Sequence, residues 1–205
     1  MKKCLMALAA GILLLASIAA SASGSLQRKS EDEAQATAES CVLDGANPDG
    51  EPVCFENFAA AIYDISGGQI DLPPDATGQD LTQADLNSIV PPEDQPRHAR
   101  ADDWDFVLYG STIHGILYAR EYLSGGSTVF AAPGGNCRDG KVWSYPRLHA
   151  RLFNDTAESA KAYSGCDGNL FENDEYGGAK RSCESRCDTL GVLKRQTSSV
   201  RWKKN

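Results

Sequence analysis

Apolar residues recur at helical spacing in two short stretches of this chain, both in its first half. In Phe55-Glu-Asn-Phe58-Ala-Ala-Ala-Ile62-Tyr-Asp-Ile65 they fall three and four apart before Ser66-Gly67-Gly68 supplies a stop, which predicts a short amphipathic helix. A second helix is predicted over Leu81–Ile89, with Thr82 and Asp85 at capping-box spacing and Pro91-Pro92 as its end. Between Cys41 and Cys54, Asn47-Pro48-Asp49-Gly50 is a turn signal. Residues 41–90 therefore read as a small helical, disulfide-containing region.

After residue 103 the pattern changes in kind. Short runs rich in Val, Ile, Tyr, Phe and Trp alternate with Gly and Pro: Phe106–Tyr109, Gly115–Tyr118, Thr128–Phe130, Val142-Trp143, Leu152-Phe153, Ala160–Tyr163, Asn169–Phe171 and Val200–Trp202. These are strand and turn signals without helical period, and their close spacing predicts a mainly β domain, a sandwich, over 104–205. Residues 91–103 carry three prolines, many charges and no large apolar residue, and read as a linker.

The start of the chain stands apart. Lys2 and Lys3 precede an uncharged Leu- and Ala-rich stretch from Cys4 that closes on Ala20-Ser21-Ala22, the layout of a secretory signal peptide cut after Ala22. A membrane anchor is the rival reading, since a spanning helix needs about 20 apolar residues; the small residues at its far end and the absence of a basic stop favour cleavage, after which no membrane attachment is expected. Residues 23–40 are polar and read as a disordered spacer. The predicted location is extracellular.

Charge and cysteines narrow the classes further. The net charge is −8, and cleavage would remove two lysines from it. A chain this acidic lacks the basic surplus that neutralises phosphates, so nucleic acid is not an expected partner. Removing Cys4 leaves Cys41, Cys54, Cys137, Cys166, Cys183 and Cys187, an even set that in an exported chain predicts three disulfides. A zinc site is disfavoured because no Cys-x-x-Cys occurs and His98, His114 and His149 lie singly.

One pattern is specific. Phe171 and Tyr176 stand five apart with Gly178 two after the second, and Ser199 and Trp202 follow in a closing strand. This resembles the Greek-key motif of the βγ-crystallins, in which a hairpin folds over the sheet, an aromatic corner covers its inner side, glycine supplies a positive φ and the Ser of the closing strand caps the hairpin. A weaker copy lies upstream: Tyr118 and Gly125 are in register, but Leu123 takes the second aromatic position, with Tyr122 one residue early, and Ser159 matches Ser199. The resemblance covers residues 116–202 and implies a two-motif sandwich. It also favours pairing Cys137 with Cys166, Cys41 with Cys54 and Cys183 with Cys187, on chain proximity and the Greek-key layout; sequence alone leaves the connectivity open.

The resemblance raises calcium as a possible cofactor. Calcium-binding βγ-crystallins carry (Asn/Asp)-(Asn/Asp)-x-x-(Ser/Thr)-Ser in the closing loops, and each site joins one loop to the other motif's hairpin. The first copy keeps Asn154, Asp155 and Ser159 but has Glu158 at the Ser/Thr position, either a ligand or an exposed charge. The second has Lys194-Arg195 where the family has acids or amides. Calcium takes about six to eight oxygens and is repelled by cations, so the site using that loop is expected to be dead.

Catalytic patterns are missing from the sequence. No Gly-x-Ser-x-Gly elbow, His-Glu-x-x-His or phosphate loop occurs, and Ser111 and His114, three apart on a strand, would face opposite sides. Asn154-Asp155-Thr156 is a sequon by chance in a chain whose leader looks bacterial. Glu172–Glu175 reads as a solvated hairpin tip, Trp143, Phe153, Phe171, Tyr176 and Trp202 as core and corner, and Lys194, Arg195, Lys203 and Lys204 as a local basic patch. The whole layout is similar to secreted bacterial proteins of the group that includes small actinomycete metalloproteinase inhibitors and killer-toxin-like proteins. Those proteins share the fold and not one activity, so the layout does not supply a function; the leading reading is a monomeric, non-enzymatic module that binds an unknown extracellular protein, as a peptidase inhibitor or another antagonist. The alternatives are an envelope or stress protein, calcium-stabilised, and a secreted toxin or hydrolase.

Overall fold

The computed structural model describes residues 39–90, 110–148 and 153–205. The signal peptide, nearly all of the spacer, the linker and the Phe106–Tyr109 strand lie outside the described residues.

Among the described residues the strands form two sheets. The first runs in the order β2-β1-β4-β3-β6-β9 and the second β5-β10-β7-β8. The strands are β1 (Ser40–Asp44), β2 (Val53–Phe55), β3 (Thr112–Arg120), β4 (Ser124–Ala132), β5 (Val142–Tyr145), β6 (Ser159–Ala162), β7 (Asp167–Phe171), β8 (Lys180–Cys183), β9 (Arg186–Cys187) and β10 (Ser199–Lys203). Pairing is antiparallel except between β1 and β4, which run parallel with Ser40 opposite Ser127. Two Greek keys interlock here. The first supplies β3, β4 and β6 to one sheet and β5 to the other, and the second supplies β7, β8 and β10 to the other sheet and β9 to the first.

Both predicted helices are present, as α1 (Phe58–Ile65) and α2 (Gln83–Asn87). Asn57 caps α1 by accepting from the Ala60 amide, and Thr82 and Asp85 form the capping box of α2. The β1–β2 hairpin before them was not foreseen. Its first strand, Ser40-Cys-Val-Leu-Asp44, is buried on both faces and so shows none of the alternation that marks a half-exposed strand. Leu152-Phe153 was expected in a strand, but Leu152 lies outside the described residues and Phe153 sits in a turn with φ 65°.

The first sheet separates two cores. Leu43, Leu117 and Phe130 face inward and pack with Tyr145, Leu170, Val200 and Trp202 of the second sheet. Their neighbours Val42, Ile116, Tyr118, Val129 and Ala131 point the other way, under Phe58, Ile62 and Ile65 of α1 and under Ile70 and Leu81. Each large apolar side chain so buried contributes about 1.5–3 kcal/mol. Polar contacts fix the cover in place. Lys161 Nζ donates to Gly78 O (2.9 Å) and Leu81 O (2.5 Å), Tyr163 Oη to Leu81 O (3.2 Å), and the Ser164 amide to Gln83 Oε1 (2.6 Å).

The six cysteines are joined as Cys41–Cys54, Cys137–Cys166 and Cys183–Cys187. Such bridging fits an oxidising compartment. At the centre, Trp202 fills space that only glycine leaves open: a Cβ on Gly115 would stand 2.3 Å from its ring, and one on Gly168 2.7 Å.

Candidate functional site: the two clamped hairpins and their crossed loops

The hairpins β3–β4 and β7–β8 are built alike. Each turns through two left-handed residues and a glycine: Tyr122 (φ 58°), Leu123 (59°) and Gly125 (75°) in the first, Glu175 (53°), Tyr176 (64°) and Gly178 (72°) in the second. Bulky residues seldom hold such angles without a tie. The tie is a serine from the closing strand. Ser159 Oγ donates to Arg120 O (2.6 Å) and accepts from the Leu123 amide (3.0 Å). Ser199 Oγ donates to Asn173 O (2.7 Å) and accepts from the Tyr176 amide (3.1 Å).

The two corners differ where their surroundings differ. Tyr176 meets Phe171 edge-on at 5.5 Å, and the Arg201 guanidinium lies 3.5 Å over its ring, so the residue stays half-open to solvent. Leu123 is fully buried in the outer core, with its carbonyl accepting from the Gly78 amide. A sealed corner has no water for a phenol hydroxyl, and leucine there avoids burying an unpaired polar group.

The loops that lead into the closing strands cross. The Asp155 amide donates to Thr197 O (3.1 Å) and the Arg195 amide to Ala157 O (2.8 Å), with Asp155 (φ 53°) and Arg195 (56°) both left-handed. Through this crossing each loop meets groups of the other copy. At the first crossing, Lys194 Nζ lies 3.1 Å from Glu158 Oε2 and 3.2 Å from Glu121 Oε1, Arg195 Nε lies 2.5 Å from Glu158 Oε1, and Thr189 Oγ1 donates to Glu121 (2.9 Å). Burial alone would raise the Glu158 carboxyl, but hydrogen bonds from Lys194 and Arg195 outweigh it and hold the group below its usual range. At the second crossing, Ser198 Oγ donates to Asp155 Oδ1 (3.3 Å), Asn154 Nδ2 donates to Asp155 Oδ2 (3.2 Å), and Arg147 pairs with Asp174 at 2.9 Å.

The fold is βγ-crystallin-like. Two serine-clamped hairpins related by an approximate two-fold, with each copy sending one strand, β5 or β9, into the other copy's sheet, decide it. Solved structures similar to this chain include a βγ-crystallin domain from Flavobacterium johnsoniae (22% identity, 44% of this chain and 94% of that chain, TM-score 0.35), a double mutant of a βγ-crystallin domain from Clostridium beijerinckii (25%, 45% and 98%, 0.35) and the N-terminal domain of protein S (23%, 44% and 96%, 0.36). No family model matches the chain, and no curated protein matches it.

In this βγ-crystallin-like frame the four residues put forward for calcium do not converge. Ser159 is the hairpin clamp, and Glu158 belongs with Lys194 and Arg195, away from Asp155. The reason is the crossing: neighbours in one loop serve different positions. Lys194 and Arg195 are thus ion-paired with Glu158 and do not stand as part of a free basic end. Calcium does not fit the first crossing, where a cationic side chain already lies between the carboxylates. The second crossing offers the Asp155 carboxylate, the Ser198 hydroxyl and Asn154 Oδ1, a buried oxygen with no hydrogen-bond partner among the described residues. Those three suit a hard cation, which would draw its remaining oxygens from water. One further grouping among the described residues, Glu39 with Cys41 and Cys54, has no thiolate to offer because its two cysteines are bonded to each other.

Of the pair tested for hydrolytic chemistry, Ser111 is buried just before β3 and His114 is engaged by other groups. His114 sits at a bulge in β3, stacked on Trp143 at 4.2 Å with Nε2 3.3 Å from Gly135 O. Burial holds its imidazole down to about 4.

Proposed function

We propose that the chain is an exported, non-enzymatic binding module that antagonises an extracellular protein, with a peptidase as the target class. The observation that carries this reading is the pre-set shape of the second hairpin tip. Ser199 ties the tip's backbone at Asn173 O and the Tyr176 amide, Arg201 stacks on the Tyr176 ring, and Glu172, Asp174 and Glu175 are carried on that tied segment. A loop ordered before binding loses little conformational entropy on binding, which is what an inhibitory surface needs. The three disulfides support an extracellular setting, in keeping with the signal peptide read from residues 1–22. The test is a panel of metallo-, serine and cysteine proteases titrated with the mature protein. Stoichiometric, saturable inhibition that weakens on replacing Glu172, Asp174 and Glu175 by Ala supports the reading; no inhibition across the panel counts against it.

A second reading, a calcium-stabilised structural protein, is favoured by the Asp155 carboxylate and the Ser198 hydroxyl at the second crossing, next to Asn154, whose oxygen has no hydrogen-bond partner among the described residues. Calcium would then raise the melting temperature by mass action, and Asp155→Ala would abolish the rise.

A further inference from the structure

The first crossing contains the charge pattern of a cation site with the cation attached to the chain. Glu121 comes from the first hairpin, Glu158 from the first closing loop, and Lys194 reaches between them from the second loop, with contacts of 3.2 and 3.1 Å. The Glu158 side chain is only 7% exposed, and both its oxygens are taken by cations, Oε2 by Lys194 and Oε1 by Arg195. At the related second crossing the same places hold Asp174, Ser198, Asn154 and Asp155; Asp174 there pairs with Arg147, which comes from outside the closing loops, so cations stand at the loop positions themselves only at the first crossing.

A carboxylate as buried as Glu158 is costly unless a positive charge accompanies it. A free divalent ion could supply that charge, but its occupancy would follow its concentration. A side chain of the same molecule is present at every concentration and gives up no translational freedom on arriving. We propose that Lys194 and Arg195 are a built-in substitute for a divalent cation at the Glu121–Glu158 position: they hold the two Greek keys together without metal, and they mask a divalent-cation site that their removal uncovers. This inference stands apart from the antagonist reading, because it concerns what joins the two copies and not what the hairpin tip binds.

The experiment is done in an Asp155→Ala background, which removes the second crossing's own carboxylate. Thermal melting is followed in chelator and in excess calcium, with terbium luminescence as a second readout of ion binding. The Asp155→Ala protein should melt at one temperature in both conditions. Adding Lys194→Asn and Arg195→Asn, which replaces both cations by oxygen donors, should lower the melting temperature in chelator, restore it with calcium and give saturable terbium binding. Lys194→Arg, which keeps a cation, should melt close to the Asp155→Ala parent and remain indifferent to calcium. The proposal is overturned if the Asn variant melts like its parent in chelator, or if calcium does not recover its loss. If the Asn variant does not fold in chelator, folding on calcium addition supports the proposal and failure to fold with calcium overturns it.

Discussion

Ser159→Ala and Ser199→Ala delete the same hydroxyl from the two clamps, yet the structure predicts unequal costs. Ser159 Oγ is held between Arg120 O and the Leu123 amide, and Leu123 is fully buried beneath the segment around Gly78. Alanine strands that amide where water does not reach. A buried donor or acceptor left unpaired costs about 1–3 kcal/mol, so this change, with the Arg120 carbonyl also released, should cost about 2–4 kcal/mol. Ser199 serves Asn173, which is exposed, and Tyr176, which is half-buried. Water can replace its hydroxyl on both groups, and the loss should stay near about 1 kcal/mol. Urea unfolding followed by tryptophan emission gives both values from midpoints at a common slope. For a domain of this size, each kcal/mol is also about 2–4 °C in melting temperature. Equal losses, or a larger loss for Ser199→Ala, would refute the claim that residues 41–90 seal the first clamp.

Gly115→Ala places a methyl 2.3 Å from the Trp202 ring; the expected cost is about 1–3 kcal/mol, with a shift in tryptophan emission as the indole is displaced. Stability should fall as the pH drops from about 6.5, the ordinary histidine value, towards about 4, because the unfolded chain takes up a proton that buried His114 refuses in that window. His114→Gln should remove this part of the slope in urea midpoints measured across that range. The Glu158 carboxyl, held low in the folded state, contributes stability that is present above its unfolded value and lost as the pH falls through its folded one. Glu158→Gln should therefore flatten the more acidic limb and leave the histidine limb in place. Opening the Cys137–Cys166 bridge by Cys137→Ser and Cys166→Ser should cost about 2–5 kcal/mol in the same assay.

What the sequence disclosed follows from what each element faces. The second Greek key was legible because its corner is half-solvated and keeps the aromatic pair Phe171 and Tyr176. The first was faint because Leu123 is covered by a segment some forty residues upstream, and no local pattern announces such a cover. The helices showed because α1 has one apolar face and one wet one, whereas β1 has no wet face to set a period. The crossing of the loops was the least accessible part. Glu158 and Asp155 are three apart in the chain, and only the approximate two-fold sends one to Lys194 and the other to Ser198.

The parallel pairing of β1 with β4 also bears on how the molecule is made. The hydroxyls of Ser40 and Ser127 meet across it, 87 residues apart. Emerging from the ribosome or the export channel, β1 has no berth until β4 follows, and at about 5–20 residues per second that interval lasts seconds. The Cys41–Cys54 bridge spans 13 residues and can close within the hairpin during the wait. It ties the two short strands to each other before either has a sheet to join, and withdraws two reactive thiols from exchange with the four cysteines still to come. Cys41→Ser with Cys54→Ser should accordingly reach the native state more slowly than the parent in oxidative refolding, with a larger share of mispaired or aggregated chains.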